Sequence, residues 1–309
     1  MEIIRPQTKI DFVGKNRIAV FISLVVIAAG MLSLLLKGGP DYGVDFAGGT
    51  LVQVRFVEPT GAGEIKDTLT ELHLSNITVQ QFGDKANEFL IRTPETGGDT
   101  TQFAKRFEQE FKGHYGEGKF EILRSEMVGP QVGKDLRQKG VMALVYAMAG
   151  TLVYIAWRFE YRFAVAAIIA LVHDVLVTLG FFSLFSKEID LTIIAAFLTI
   201  IGYSLNDTII IYDRIRENIG KAATEGFVAI VNRSINETLS RTILTSGTTL
   251  LVVLSLFIFG GGVIHDFAFA MLVGIVSGTY STIFVASSLI LFWEKHHPGN
   301  IMAALSSRR

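Results

Sequence analysis

Several runs of roughly twenty residues in this chain contain almost no Lys, Arg, Asp or Glu. That is the length an α-helix needs to cross about 30 Å of hydrocarbon. Six such spans are predicted: Ile18–Leu36, Lys139–Trp157, Phe163–Ser186, Leu191–Tyr212, Thr242–Phe259 and Phe267–Trp293. Only 18% of the 309 residues are charged and the mean hydropathy is +0.44, against about 25% charged in a soluble domain. The first run leads into Lys37-Gly38-Gly39-Pro40 with no A-x-A-like cleavage site, so it reads as an uncleaved anchor. With no cysteine, disulfides, zinc–thiolate sites and thiol nucleophiles are excluded. No basic tract points to nucleic acid, and no nucleotide-binding loop is present.

Orientation follows from the basic residues of the short loops. One set of faces carries Arg5, Lys9, Lys15, Arg17, Arg158, Arg162, Arg214, Arg216, Lys221, Arg233, Arg241, Lys295, Arg308 and Arg309. The opposite short loops offer only Lys187. Residues 1–17 and the tail 294–309 are therefore expected in the cytoplasm.

Residues 37–138 then lie outside and read as a small folded domain. Strands are predicted over Thr50–Glu58, Ile77–Phe82, Glu88–Arg92 and Phe120–Val128, with a turn region at Gly83-Asp84. Helices fit Glu64–Leu74, through Ile65, Leu69 and Leu72, and Thr101–Phe111, through Phe103, Phe107 and Phe111. The order β-α-β-β-α-β is the ferredoxin-like pattern. The expected fold is thus a polytopic α-helical membrane protein of six spans with a small α+β outer domain.

The loop 213–241 carries a stripe of Phe227, Ile230, Val231, Ser234, Ile235, Thr238 and Leu239 at helical spacing. An amphipathic helix is expected there, either lying in the membrane interface or packed on other loops.

Ionisable residues inside a membrane span are costly and point to function. Asp174 lies near the middle of the third span beside His173. Asp207 lies toward the cytoplasmic end of the fourth, with Ser204, Asn206 and Thr208 around it. Arg241 begins the fifth span on the same side, within expected reach of Asp207. Such a guanidinium favours the ionised acid whereas desolvation disfavours it, so moving the arginine would make the acid take up a proton. The plainer alternatives are that Asp174 bonds to Ser, Thr or His on a neighbouring helix, that His173 is a packed histidine, and that Arg241 is a positive-inside anchor.

Four segments carry a family resemblance: Gly43-Val44-Asp45-Phe46-Ala47-Gly48-Gly49-Thr50, His173-Asp174-Val175, LTIIGYSLNDTIIIYDRIREN over Leu198–Asn218, and ETLSRTILTSG over Glu237–Gly247. In order and placement they resemble the SecD/SecF family of the RND superfamily, in its SecF form. Ala47 and Val44 replace the commoner Thr and Ile of the first motif, both small changes. The resemblance implies half of a twelve-span RND-type bundle completed by SecD. It further implies assistance to the SecYEG–SecA translocon, a pull on emerging preprotein, and Asp207 with Arg241 as the proton-linked pair. No bound cofactor is implied, only a carried H⁺ or Na⁺, with proton preferred because no dense oxygen cage is evident in the sequence. In the first motif, Gly43, Asp45, Phe46, Gly48 and Gly49 read either as a hinge or as a tight turn entering a strand.

Two rival readings remain at this point. One is an RND-type efflux half, against which the single outer domain argues. The other is an intramembrane aspartyl protease built on Asp174 and Asp207, which lack the Gly-x-Gly-Asp motif of such enzymes.

Overall fold

The structure is a computed structural model that describes residues 8–71, 77–82, 87–93, 100–221, 225–260 and 262–296. A 3-10 turn at Val13–Lys15 leads into α1 (Asn16–Leu36). The outer domain follows as α2 (Val44–Ala47), β1 (Gly49–Phe56), α3 (Ala62–Glu71), β2 (Thr78–Gln81), β3 (Glu88–Thr93), α4 (Thr100–Tyr115) and β4 (Phe120–Val128). The chain then runs through α5 (Pro130–Arg158), α6 (Tyr161–Leu184), α7 (Leu191–Lys221), α8 (Phe227–Phe259) and α9 (Gly262–Ser281). A π-helical stretch at Thr282–Ala286 joins α9 to α10 (Ser287–His296). Six helical segments are long and apolar enough to cross a membrane, the last being Ile264–His296. Gly83, Asp84, Leu72–Leu74, Arg5 and residues 297–309 lie outside the described residues.

Three helices outrun their predicted spans, because hydropathy marks only the part that suits hydrocarbon. Helix α5 starts at Pro130, with Pro in the first turn where its missing N–H costs nothing. Helices α7 and α8 run past their predicted spans at the end away from the outer domain. The stripe from Phe227 to Leu239 is therefore no separate interfacial helix: it is the first third of α8. Phe227, Ile230, Val231, Ile235 and Leu239 are buried against Ile155, Phe159, Phe163, Tyr212 and Ile215. The apolar face found a protein partner, which removes it from water without needing lipid.

In the outer domain the antiparallel sheet has the order β2-β3-β1-β4. Alternate residues Val52, Val54 and Phe56 of β1 and Phe89 and Ile91 of β3 face a core shared with Ile65, Leu69, Phe107 and Phe111. Phe111 is fully buried and its ring meets Phe56, Phe107, Tyr115 and Phe120. Phe111→Ala is expected to destabilise this domain by about 3–5 kcal/mol, read as lost amide-exchange protection in β1 and β3 with the membrane helices still protected.

The glycine motif joins this domain to the membrane helices. Gly48 and Gly49 have φ of 77° and 120°, a region that favours glycine. A Cβ on Gly48 would sit 2.8 Å from the Cα of Pro130, so the turn is packed directly onto the start of α5. This is the geometry of a tight turn entering a strand. On its other side the motif grips the start of α7: Gly43 N donates to Ile189 O at 3.0 Å, Ile189 N to Asp41 O at 2.8 Å, and Leu191 N to Asp45 Oδ2 at 3.1 Å. An Arg92–Glu188 ion pair adds a tie from β3 to the same loop.

Asp190 caps α7 by accepting from Ile193 N at 2.9 Å. Burial, with Asp45 and Asp266 nearby, raises its pKa above the ordinary carboxylate range. The folded junction therefore binds this proton more readily than the unfolded chain does. Its contribution is greatest at acid pH and declines as pH rises from the ordinary carboxylate range through the raised value. Asp190→Asn keeps a capping oxygen and is expected to abolish that dependence, measured as protection of the Ile193 amide corrected for intrinsic exchange.

Two close helix contacts set the membrane core. A Cβ built on Gly30 of α1 would lie 2.5 Å from the Cα of Gly180 on α6. On α9, Gly274 and Gly278 admit Ile200 and Ser204 of α7, leaving under 3 Å for any added Cβ. Small residues four apart are how membrane helices approach closely when no hydrophobic effect drives them together.

Candidate functional site: the polar core of the membrane helices

The close contact of α7 with α9 brings hydroxyls of both helices onto the intramembrane acid of α6. Asp174, on α6, is 0% exposed. Its Oδ2 accepts from Ser204 Oγ of α7 at 2.7 Å and Ser281 Oγ of α9 at 2.8 Å. Its Oδ1 accepts from Ser277 Oγ of α9 at 2.8 Å and lies 3.0 Å from His173 Nδ1. The histidine's Nε2 is 3.0 Å from Ser23 Oγ of α1, and its ring stacks on Tyr280. Four partners fill the acceptor positions of the carboxylate, and the network joins α1, α6, α7 and α9. His173 is thus the packed, bonded histidine of the plainer reading.

Asp207 is 2% exposed and, among the described residues, has one hydrogen-bond partner, Ser246 Oγ of α8 at 3.4 Å. That hydroxyl is 3.0 Å from Thr279 Oγ1 of α9. Thr208 turns to a separate set, donating to Ser204 O at 3.1 Å and meeting Thr282 Oγ1 at 2.8 Å. Asn206 faces outward and joins neither cluster. The two acids are therefore unequal: Asp174 is saturated, whereas Asp207 has a single long hydrogen bond.

Arg241 makes no direct ion pair with Asp207 in this structure and its side chain is exposed, yet its charge lies within electrostatic range of the acid. The lack of direct contact follows from helical phase. Arg241 lies five residues before Ser246, which rotates it by about 140° from the residue that does contact the acid. Asp174 and Asp207 are held by separate hydroxyls, those of Ser204, Ser277 and Ser281 for the first and that of Ser246 for the second.

Beyond the lipid-facing stretch, two of the sequence motifs meet. Arg214 Nε donates to Glu237 Oε2 at 2.6 Å, and Asn218 Nδ2 donates to the same oxygen at 2.8 Å and to Ser234 Oγ at 3.0 Å. Asn232 and Asn236 of α8 hold the N-terminal segment: Ile10 N donates to Asn236 Oδ1 and Phe12 N to Asn232 Oδ1, each at 2.9 Å. Sequence reasoning passed over Ser23, Ser246, Ser277, Thr279, Ser281 and Thr282. The signal available was the hydroxyl-rich stretch Ser277-Gly278-Thr279-Tyr280-Ser281-Thr282 within the last span.

Fold and site together define a multi-pass helical membrane protein with a ferredoxin-like outer domain and buried carboxylates between its helices. The family model of the protein export membrane protein SecD/SecF C-terminal region matches residues 107–296, and that of the SecD/SecF GG motif matches residues 33–60. The chain belongs to the SecD/SecF family. It is 45% identical over 295 residues to the protein translocase subunit SecF of Desulfurispirillum indicum, covering 93% of each chain. With the SecF of Calditerrivibrio nitroreducens it shares 46% over 293 residues, covering 94% of this chain and 96% of that protein. Among solved structures, the translocon-associated membrane protein SecDF of Thermus thermophilus superposes with a TM-score of 0.86 at 37% identity over 95% of this chain. SecDF in a super-membrane-facing form gives 0.70 at the same identity. The chain spans only 40% of that Thermus SecDF chain.

Proposed function

We propose that this chain is the SecF-type subunit of a proton-driven export machine, completed by a SecD-type partner. It acts in the inner membrane with both termini cytoplasmic and the domain 37–138 periplasmic. There it assists the SecYEG–SecA translocon by acting on emerging preprotein. Its membership of the SecD/SecF family over nearly its whole length carries this reading. No cofactor is needed, because the work comes from an ion moving down its gradient.

In this reading Asp207 is the group that takes up and releases the proton. Its carboxylate lies between α7, α8 and α9, with one long hydrogen bond to hold its charge. An intramembrane acid so sparsely partnered gains more from protonation than a saturated one. Arg241, exposed on α8, is available to a partner or to a second conformation in which it turns toward the acid. The contacts of Asp45, Gly43 and Arg92 around the start of α7 give helix movements a path to the outer domain. Helices α5 and α8 bury only 11% and 17% of their most apolar stretches inside the chain, leaving faces for a SecD-type half.

Depleting this chain is expected to cause unprocessed precursors to accumulate, and an affinity-tagged copy is expected to co-isolate with a SecD-type protein. Normal export after depletion, with no such partner recovered, would refute the assignment.

A further inference from the structure

A groove runs along the outside of the membrane bundle between α1 and α9, with α6 as its floor. It encloses about 420 Å³, and its walls are apolar: Ile22 and Val26 of α1, Val177 and Phe181 of α6, Leu272 and Val273 of α9. The polar side chains at its base are already engaged. His173 meets Ser23, Ser277 donates to Asp174, and the Tyr280 hydroxyl donates to Ala19 O at 2.5 Å. Ile22 and Val276 on the rim are 49% and 58% exposed, and all three helices belong to segments apolar enough to cross a membrane. The rim therefore opens into hydrocarbon. We propose that this groove is a lipid site that holds one acyl chain of a phospholipid, entered from the outer-domain side of the membrane, with the phosphate at Lys37.

Shape, chemistry and charge each select that occupant. The lining runs from His173 to Phe181 on α6 and from Leu272 to Tyr280 on α9, in each case about 12 Å of helix at 1.5 Å per residue. That is a slot for a run of methylenes. At one end the Tyr280–Ala19 hydrogen bond ties α9 to α1 and closes it. Water does not suit the space, because apolar cavities stay dry, and a void left in a packed interior is costly. Hydrocarbon fills it without either penalty. The volume also falls within the range of specific ligand pockets, about 300–1,000 Å³. The charge stands at the open end. Lys37 Nζ, at the outer-domain end of α1, donates to Ser183 O and to Ser186 Oγ, and among the described residues it pairs with no carboxylate. Ser183 follows closely on Phe181 in α6, which sets the ammonium at the level of a phosphate whose chain lies in the groove. Lysine serves phosphate as a point charge. A chain bound here also covers His173 and Ser277, keeping water from the Asp174 network to which they belong.

The site does not depend on the export reading. The test is photo-crosslinking of the purified full chain in detergent micelles, titrated with phosphatidylglycerol that carries a diazirine near the end of one acyl chain, with adducts mapped by peptide mass spectrometry. Adducts on Phe181 and Leu272 are expected to reach a plateau at low lipid fraction. Those on Val145 of α5 and Leu251 of α8, which are 53% and 66% exposed, are expected to rise in proportion to added lipid, as unspecific boundary contacts do. Val273→Trp fills the groove and is expected to abolish the plateau while leaving the α5 and α8 adducts unchanged. Val26→Trp, from the opposite wall, is expected to do the same and decides should the first variant fail to accumulate. Lys37→Gln is expected to raise the half-saturating lipid fraction about fivefold, the worth of one lysine near lipid phosphate. Adducts at Phe181 and Leu272 that rise only in proportion to lipid, or a plateau that survives both tryptophan variants, would overturn the proposal. So would loss of the groove adducts when the chain is purified together with its SecD-type partner, since a protein helix would then be the occupant. An unchanged half-saturation in Lys37→Gln would overturn the placement of the phosphate.

Discussion

Asp207→Asn is expected to slow precursor export to the level of cells lacking the chain, while the variant accumulates normally in the membrane. Asparagine keeps the shape of the side chain and still accepts from Ser246, whose hydroxyl is the hydrogen-bond partner of Asp207 among the described residues. What it loses is the ability to exchange a proton. Each elementary charge carried across a membrane yields about 2.3 kcal/mol per 100 mV, so a chain whose carrier cannot titrate forfeits that work entirely. The measurement is pulse-labelled precursor processing alongside immunoblots of the variant. Asp207→Glu, which still titrates but with its carboxyl displaced by one methylene, is expected to retain part of the rate. Export at the normal rate in Asp207→Asn would reduce Asp207 to a hydrogen-bonding residue.

The second large effect concerns packing. Gly180→Leu places a Cβ 2.9 Å from the Cα of Gly30, and backbone on the other side cannot rotate out of the way. The contact between α1 and α6 must open. Opening it also separates Ser23 from His173, and Ser33 Oγ from Ser183 Oγ, now 2.8 Å apart. Overpacking commonly costs 1–3 kcal/mol and more where backbone has to move; here a loss of at least about 3 kcal/mol is expected. It would appear as a lower membrane level and a lower unfolding temperature. Gly150→Leu, on an open face of α5 with nothing within 4 Å, is the matched control and is expected to be tolerated.

Much of the architecture was legible because hydrophobicity alone decides it. The spans, the strand order and the helices of the outer domain follow from periods of roughly twenty, two and 3.6 residues, each tied to burial of a face. Helix ends were harder. Lys139 looked like the start of a span, yet α5 begins at Pro130, because polar residues continue a helix as readily as they end one. The stripe at Phe227–Leu239 was read correctly as one face, but its cover was not legible. Whether lipid or Tyr212 and Ile215 lies against it depends on where α7 points after leaving the membrane.

The polar core shows the same division. Asp174, His173, Ser204 and Asp207 stood out because polar groups in an apolar run are conspicuous. Their partners Ser277 and Ser281 did not, since a serine in a membrane helix ordinarily bonds to its own backbone. Only the glycines of α9, by bringing it against α7, direct those hydroxyls to Asp174. Arg241 illustrates the converse. Its nearness to Asp207 was readable from sequence and its charge does act on that acid, but a five-residue offset from Ser246 keeps it out of direct contact in this conformation.

The most direct test of proton coupling is precursor translocation into inverted membrane vesicles that carry this chain, with and without a protonophore. The account predicts that collapsing the gradient removes the increment of transport that depends on the chain. It also predicts that in Asp207→Asn vesicles the protonophore removes no such increment, because the two interventions act on one step and do not add. An Asp207→Asn chain whose contribution to transport persists and remains fully protonophore-sensitive would contradict it.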